Sequence, residues 1–222
     1  MIKVVSLLKR RSDMKVEAFQ DYWRNEHSHL VEQLPSLKKY VQSHTRLSGY
    51  QNSEPAIDGL SEIWFDDTDA LVELQASSAL QSVADDEKNF IDMNSHIQLL
   101  VEEHVIKESK VLNSGVKNIE IVRRKPTMDV SDFQKYWREA HGPLGGSIPQ
   151  VNRYVQNHAR LSSYTNGREP KIDGLALTWF DDVNAMRASA NTVEYSKTRA
   201  DEGNFVTEPL DFVIAIEHVI VG

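Results

Sequence analysis

The stretch Phe19-Gln20-Asp21-Tyr22-Trp23-Arg24 returns later in the chain as Phe133-Gln134-Lys135-Tyr136-Trp137-Arg138. Four more segments recur at an offset of 114 or 115 residues: 35–47 as 149–161, 57–60 as 172–175, 64–67 as 179–182, and 103–106 as 217–220. So long a period indicates one duplicated domain rather than a short-repeat solenoid. We predict domains over residues 1–108 and 118–222, joined by a polar linker at 109–117.

Each copy carries the same succession of patterns. In the first copy, residues 2–9, 37–48, 59–66 and 95–106 have the apolar and β-branched character of strands. Helical spacing runs over residues 15–33, and a second helix is expected from a cap at Asp66 or Asp67 to about residue 86. In the second copy, Asp129 resembles an N-cap with Asp132 as its N3 partner. The order βαββαβ predicts an α+β, ferredoxin-like domain.

The sheet of such a domain has helices on one face only, so its other face needs a cover. Two tandem copies can provide that cover by packing sheet against sheet. We therefore expect an intramolecular dimeric α+β barrel, a pseudo-dimer within one chain. Whether two chains pair further into a homodimer stays open at this stage.

Composition narrows the classes of function. The 222 residues are 40% apolar and 26% charged, as in an ordinary globular protein, with a net charge of −8. The basic residues form no stripe, so neither nucleic acid nor an anionic membrane surface is an expected partner. Cysteine is absent, which excludes disulfides and thiolate chemistry. We expect a cytoplasmic protein that acts on a small molecule.

Alternation along the second and third strands predicts that several polar and aromatic side chains share one face of the sheet. Side chains at alternate positions share one face of a strand. If the apolar face lies against the helices, the space between the sheets contains Tyr40, Gln42, His44, Arg46 and Trp64, matched in the second copy by Tyr154, Gln156, His158, Arg160 and Trp179. Two interpretations stay open: a pocket for a small polar or aromatic ligand, or a hydrogen-bond network between the sheets, with some groups reaching solvent.

Six of the eight histidines form matched pairs in the repeat. Histidine titrates near neutrality and suits proton transfer without a cofactor. His27 and His141 end the first helix of each copy, one turn after a tryptophan, and are the leading acid–base candidates. His104 and His218 are interpreted as structural. No histidine pair has a tight metal-ligand spacing, so no metal site is predicted.

The motif Trp23-x3-His27-x2-Leu30-x4-Pro35-x4-Tyr40, followed by Asp58-Gly59 and Trp64-Phe65, resembles the EthD family of dimeric α+β barrels. The second copy repeats it with Trp137, His141, Pro149, Tyr154, Asp173-Gly174 and Trp179-Phe180. The resemblance implies cofactor-independent isomerases, decarboxylases or dehydratases that work in the barrel pocket with histidine and tyrosine. By this resemblance, His27 and His141 would be the proton carriers, and Tyr40 and Tyr154 would also be catalytic. The isomerase of the family also uses a cysteine, which this chain lacks.

The copies differ at Glu62, which becomes Leu177. The carboxylate makes the first pocket the better catalytic candidate. Glu62 would orient His44 or His27, act as a base, or simply pair with Arg46.

We therefore expect an enzyme for a cyclic or aromatic carbonyl or carboxyl metabolite. His44, Glu62 and His158 complete the catalytic candidates, and Tyr40 and Tyr154 would donate to an oxyanion. Arg46 and Arg160 would anchor a substrate carboxylate. Substrate would also contact Gln42, Gln156, Trp64 and Trp179. Two alternatives stay open: a non-catalytic carrier of a hydrophobic intermediate, and a haem-binding barrel with a histidine ligand.

Overall fold

A computed structural model describes residues 1–112 and 114–222. The first copy runs β1 (Ile2–Leu8), α1 (Val16–Tyr22), a π-helical turn (Trp23–His27), α2 (Ser28–Val31), β2 (Leu37–Thr45), a 3₁₀ turn (Leu47–Tyr50), β3 (Gly59–Phe65), α3 (Thr68–Gln75), α4 (Ser78–Phe90) and β4 (Ile97–Lys107). This is the βαββαβ order predicted from the sequence.

The second copy repeats these elements. It runs β5 (Val116–Val122), α5 (Val130–Tyr136), a π-helical turn (Trp137–His141), α6 (Gly142–Gly146), β6 (Arg153–Ala159), a 3₁₀ segment (Leu161–Gly167), β7 (Gly174–Phe180), α7 (Val183–Ser189), α8 (Val193–Glu202) and β8 (Asp211–Val221). In the first unit, β3 pairs antiparallel with β1 and with β2. In the second unit, β7 pairs antiparallel with β5 and β6, β5 also pairs with β8, and β6 also pairs with β4. Each unit is thus an α+β fold with an antiparallel sheet.

Contacts divide the chain into two compact units, and the division does not follow the repeat. The first unit contains Met1–Leu100 and Glu217–Gly222, and the second contains Val101–Ile216. The first unit therefore includes the end of β8, and the second includes the end of β4. The predicted linker at 109–117 lies between β4 and β5 except for Val116 and Lys117, which belong to β5. Asn113, within that linker, lies outside the described residues.

The helix N-caps of the structure agree in part with those predicted from the sequence. The Asp67 carboxylate accepts hydrogen bonds from the backbone N–H groups of Asp69 and Ala70, as an N-cap should. The single helix expected from this cap is instead two, because Ser77 begins a new helix by accepting from the Leu80 N–H. Asp129 occupies the N-cap position of α5 as expected, but its side chain makes no capping hydrogen bond.

The core of the first unit includes Val31, Leu34, Tyr40, Phe65 and Leu74, with Ile220 and Val221 packed against them. A second cluster joins Phe19, Trp23 and Phe90 to the end of β1. In the second unit, an equivalent core forms around Phe133, Trp137 and Phe205.

The Asp-Gly motif is explained by packing around Trp23. A Cβ atom on Gly59 would lie 2.3 Å from a carbon of the Trp23 ring, which no side chain can tolerate. Asp58 is fully buried, and its carboxylate accepts hydrogen bonds from the Arg10 backbone, the Arg10 guanidinium and the Tyr50 hydroxyl. The motif thus allows β3 to pass beneath the helix that carries the candidate site.

Candidate functional site

A π-helical turn places the candidate histidine. The turn Trp23–His27 interrupts the helix between α1 and α2, and the side chains of Trp23 and His27 are both buried. Single π turns inside α-helices occur frequently at functional sites, because the extra residue redirects side chains. The second copy has the same turn at Trp137–His141.

His27 is held by a carboxylate from α4. Its Nδ1 lies 2.8 Å from Oδ2 of Asp86, and the Tyr22 hydroxyl donates to Oδ1 at 2.6 Å. Burial lowers the pKa of His27 below its ordinary value, although the Asp86 carboxylate opposes this. Burial acts to raise the pKa of Asp86, but hydrogen bonds from Tyr22 and His27 outweigh it and lower that pKa. A neutral His27 that donates from Nδ1 to Asp86 leaves Nε2 available to accept a proton.

His27 lines a cavity of about 570 Å³ between the sheet and the helices of the first unit. This volume lies within the range of small-molecule sites. Its wall is mostly apolar, and its polar members are Ser6, His27, Ser61, Gln75, Glu87, His96 and Gln98. Burial, with a smaller effect from the charge of Asp86, raises the pKa of Glu87 to about 7. A histidine whose pKa is lowered and a glutamate whose pKa is raised to about 7 therefore line the same largely apolar cavity.

The matching cavity of the second unit measures only about 60 Å³. His141 lines it and lies 2.9 Å from Asp201, so the histidine–aspartate pair is repeated. Polar or larger side chains replace the wall residues of the first cavity in the pairs Val4/Asn118, Ser6/Glu120, Ile63/Thr178, Leu80/Tyr195, Val83/Thr198 and Ala84/Arg199. Arg199 lies 2.8 Å from Glu202 and 3.5 Å from Glu120. The second cavity is thus largely filled by its own polar and ionisable side chains.

The polar face of β2 packs on the helix side, which corrects the orientation predicted from the sequence. The Tyr40 hydroxyl accepts hydrogen bonds from Trp23 Nε1 at 3.0 Å and Gln42 Nε2 at 2.8 Å. Gln42 also donates to the Trp23 carbonyl, and its Oε1 lies 2.9 Å from His44 Nε2. The apolar-face assumption failed because Trp23 supplies polar partners for these side chains. None of Tyr40, Gln42 and His44 lines the first cavity.

His44 stacks on Trp23 with ring centroids 4.5 Å apart, and burial, with a smaller effect from His218, lowers its pKa to about 3. An imidazole that stays neutral across the physiological range is a structural member of the network. Tyr154, Gln156, His158 and Trp137 form the same arrangement in the second unit. Of these four, only Tyr154 lines the second cavity.

Glu62 does not contact either histidine as anticipated. Its Oε1 lies 2.9 Å from Lys3 Nζ, with both side chains almost fully buried. Because β3 alternates, Glu62 and Trp64 lie on the face opposite to Ser61 and Ile63, which line the cavity. The alternative pairing with Arg46 was also wrong. Trp64 contacts Lys3 and Lys39, and its counterpart Trp179 contacts Lys117 and Arg153.

Arg46 and Arg160 begin the 3₁₀ segments after β2 and β6 and line neither cavity. Of the predicted site residues, the structure therefore brings His27 to the first cavity, and His141 and Tyr154 to the second. Sequence reasoning missed Asp86 and Glu87. The signal was present, since Asp86-Glu87-x-Asn89-Phe90 returns as Asp201-Glu202-x-Asn204-Phe205.

Within residues 1–112 and 114–222, no group of three or more His, Cys, Asp or Glu side chains has an arrangement that would hold a metal ion. No helix in the same described part has both the length and the apolar character that a membrane crossing requires.

The EthD domain model matches the chain twice, over residues 11–94 and 125–209. The chain belongs to the EthD family. Both EthD domains contain the π-helical turn, the histidine–aspartate pair and the buried Tyr-Gln-His network described above. No curated protein matches the chain significantly.

Several solved structures share the fold of this tandem EthD protein. An anthrone oxidase-like protein aligns over 99% of this chain and 93% of its own, with 10% identity and a TM-score of 0.67. A candidate monooxygenase from Fusobacterium nucleatum aligns over 99% and 92%, with 8% identity and a TM-score of 0.60. Another, from Lactobacillus acidophilus, aligns over 98% and 94%, with 13% identity and a TM-score of 0.58. At such identities the likeness concerns the fold alone.

Proposed function

We propose that the first EthD domain is a cofactor-independent enzyme that moves a proton on a small ring-containing metabolite. The observation that carries this proposal is the His27–Asp86 pair at the wall of a 570 Å³ apolar cavity that also contains Glu87. The reaction classes that such a pair serves are isomerisation, decarboxylation and dehydration. The lyase and isomerase activities expected from the sequence stay within this proposal.

The two titratable groups take different roles. His27 accepts a proton at Nε2, because Asp86 holds Nδ1 as a donor. Glu87 donates a proton or a hydrogen bond to the oxygen on which negative charge develops. Two groups whose surroundings shift their pKa values differently are a common basis for acid–base catalysis in one site.

The names of proteins with similar folds suggest a first probe. One is called anthrone oxidase-like, and two are described as candidate monooxygenases. Anthrone is an uncharged tricyclic ketone whose methylene protons are acidic. Nε2 of His27, as the proposed proton acceptor, would remove such a proton.

Deuterium exchange tests proton transfer directly. The protein is incubated in D₂O with ring ketones, lactones and phenols, and deuterium incorporation next to the carbonyl is followed by NMR. We expect His27→Ala to slow exchange by about 10²–10⁴-fold, the usual contribution of a general base. His141→Ala is the matched control, since His141 has the same aspartate contact but lines the filled cavity. Equal exchange in the wild type and His27→Ala, for every compound that binds, would refute the proposal.

A non-catalytic carrier is the second candidate, because a largely apolar cavity suits ligand storage equally well. Tight binding without deuterium exchange or product formation would favour it. The haem alternative predicts a Soret band after haemin addition that His27→Ala removes.

The proposal also includes the assembly and location expected from the sequence. The two copies would pack as ferredoxin-like domains, sheet to sheet, in one cytoplasmic pseudo-dimer. Light scattering of the full chain measures whether it pairs further.

A further inference from the structure

The wall of the first cavity has no lysine or arginine among the described residues, and its titratable nitrogen groups are the histidines His27 and His96. Lys3 lies on β1, and its Nζ is 2.9 Å from Glu62 Oε1, on the face of the sheet that points away from the cavity. Arg46, expected from the sequence to anchor a carboxylate, does not reach this cavity.

Acidic groups at this cavity make it still less favourable for an anionic ligand. Glu87 lines the wall, and Asp86 lies directly behind His27. Burying an ionised group without a partner of opposite charge is strongly unfavourable. An anionic ligand would lose its hydration here and would also face the negative charge of Asp86.

The second copy has an arginine in its cavity at the position of Ala84. Arg199 occupies the position of Ala84 and lies 2.8 Å from Glu202, the counterpart of Glu87. In the first copy, the small Ala84 side chain leaves Glu87 without this arginine and leaves the space open. The residue at position 84 therefore changes both the charge and the free space beside this glutamate.

We propose that the first cavity selects an uncharged ring compound bearing a carbonyl or hydroxyl group, that it rejects ionised acids of the same size, and that Ala84 determines this specificity. The inference rests on the cavity assigned under the proposed function. It narrows the substrate class to uncharged compounds and leaves isomerisation and dehydration as the reaction classes. The ligand oxygen approaches Glu87 and His27, and the ring system contacts the apolar wall formed by residues such as Ile63, Leu74 and Val83.

Two probes of matched shape test the charge preference. 2-Acetylnaphthalene and 2-naphthoate differ at one substituent, a methyl ketone in place of a carboxylate. Their dissociation constants are measured by titration calorimetry on the full chain at about pH 6, where the acid is ionised and Glu87 retains its proton. We expect the ketone to bind the wild type at least about tenfold more tightly.

Ala84→Arg introduces the residue of the second copy, and Ala84→Gln is a control of intermediate size without charge. We expect the arginine variant to lose ketone affinity and the preference for the ketone, and the glutamine variant to weaken both probes while keeping their ratio. Equal or tighter binding of naphthoate to the wild type would overturn the inference. Binding of neither probe would also overturn it. Selective ketone binding without deuterium exchange would keep this inference and reject catalysis.

Discussion

Glu87 is the residue whose protonation should govern the first cavity. Burial raises its pKa to about 7, so the carboxyl group is protonated below that pH and can donate to a ligand carbonyl. As pH rises through 7 the proton is lost, the donor disappears, and a negative charge enters the apolar site. Burial lowers the pKa of His27, which favours the neutral imidazole over the same interval.

We therefore expect the affinity for 2-acetylnaphthalene to fall as pH rises from about 6 to about 9, by roughly tenfold for each pH unit above the pKa. Glu87→Gln keeps a donor at every pH and should remove this dependence. Calorimetric titrations of both proteins across that interval provide the measurement. A wild-type affinity that does not change with pH would show that Glu87 does not contact the ligand.

At the scale of elements, β1 and β3 are joined by a buried ion pair between Lys3 and Glu62. In the second copy the lysine is retained as Lys117, but the carboxylate position is Leu177. We expect Glu62→Leu to destabilise the protein by about 3–5 kcal/mol, because it removes a carboxylate that pairs with a buried charge. The double variant Lys3→Met with Glu62→Leu should recover much of that loss.

Glu62 lies on the face of β3 opposite to the cavity, so folded Glu62→Leu protein should exchange deuterium at the wild-type rate. Chemical denaturation gives the stability, and NMR gives the exchange rate. A large loss of exchange in protein that is still folded would restore to Glu62 the catalytic role suggested by the sequence.

At the scale of the whole molecule, the first unit depends on the last residues of the chain. Ile220 and Val221 pack against the core that includes Tyr40 and Phe65. We expect Ile220→Ser with Val221→Ser to lower the free energy of unfolding by about 2 kcal/mol or more, because apolar contact area is lost. Val219→Ser is the control, since the Val219 side chain is 59% exposed.

The same pair of substitutions should weaken 2-acetylnaphthalene binding in the first cavity, whereas Val219→Ser should not. Thermal unfolding and calorimetry measure the two effects. Unchanged stability in the double variant would mean that the first copy is independent of the end of β8, as a simple boundary at residue 108 implies.

The sequence by itself determined the duplication, the βαββαβ order and the membership of the EthD family, and it predicted the helix-end histidine as a candidate site residue. These follow from periodicity and from motifs in which neighbouring residues carry the information. It also identified the first copy as the better candidate site, although through Glu62, which lies away from the cavity.

Only the tertiary structure decided which face of β2 packs against the helix. Period-two alternation separates Tyr40, Gln42 and His44 from Val41 and Thr45, but it does not say which set is covered by Trp23. The Asp86–His27 contact, the 570 Å³ and 60 Å³ cavities and the Lys3–Glu62 pair likewise join residues distant along the chain. Such contacts depend on how strands and helices pack, because a polar side chain can be buried wherever another element supplies its hydrogen-bond partner.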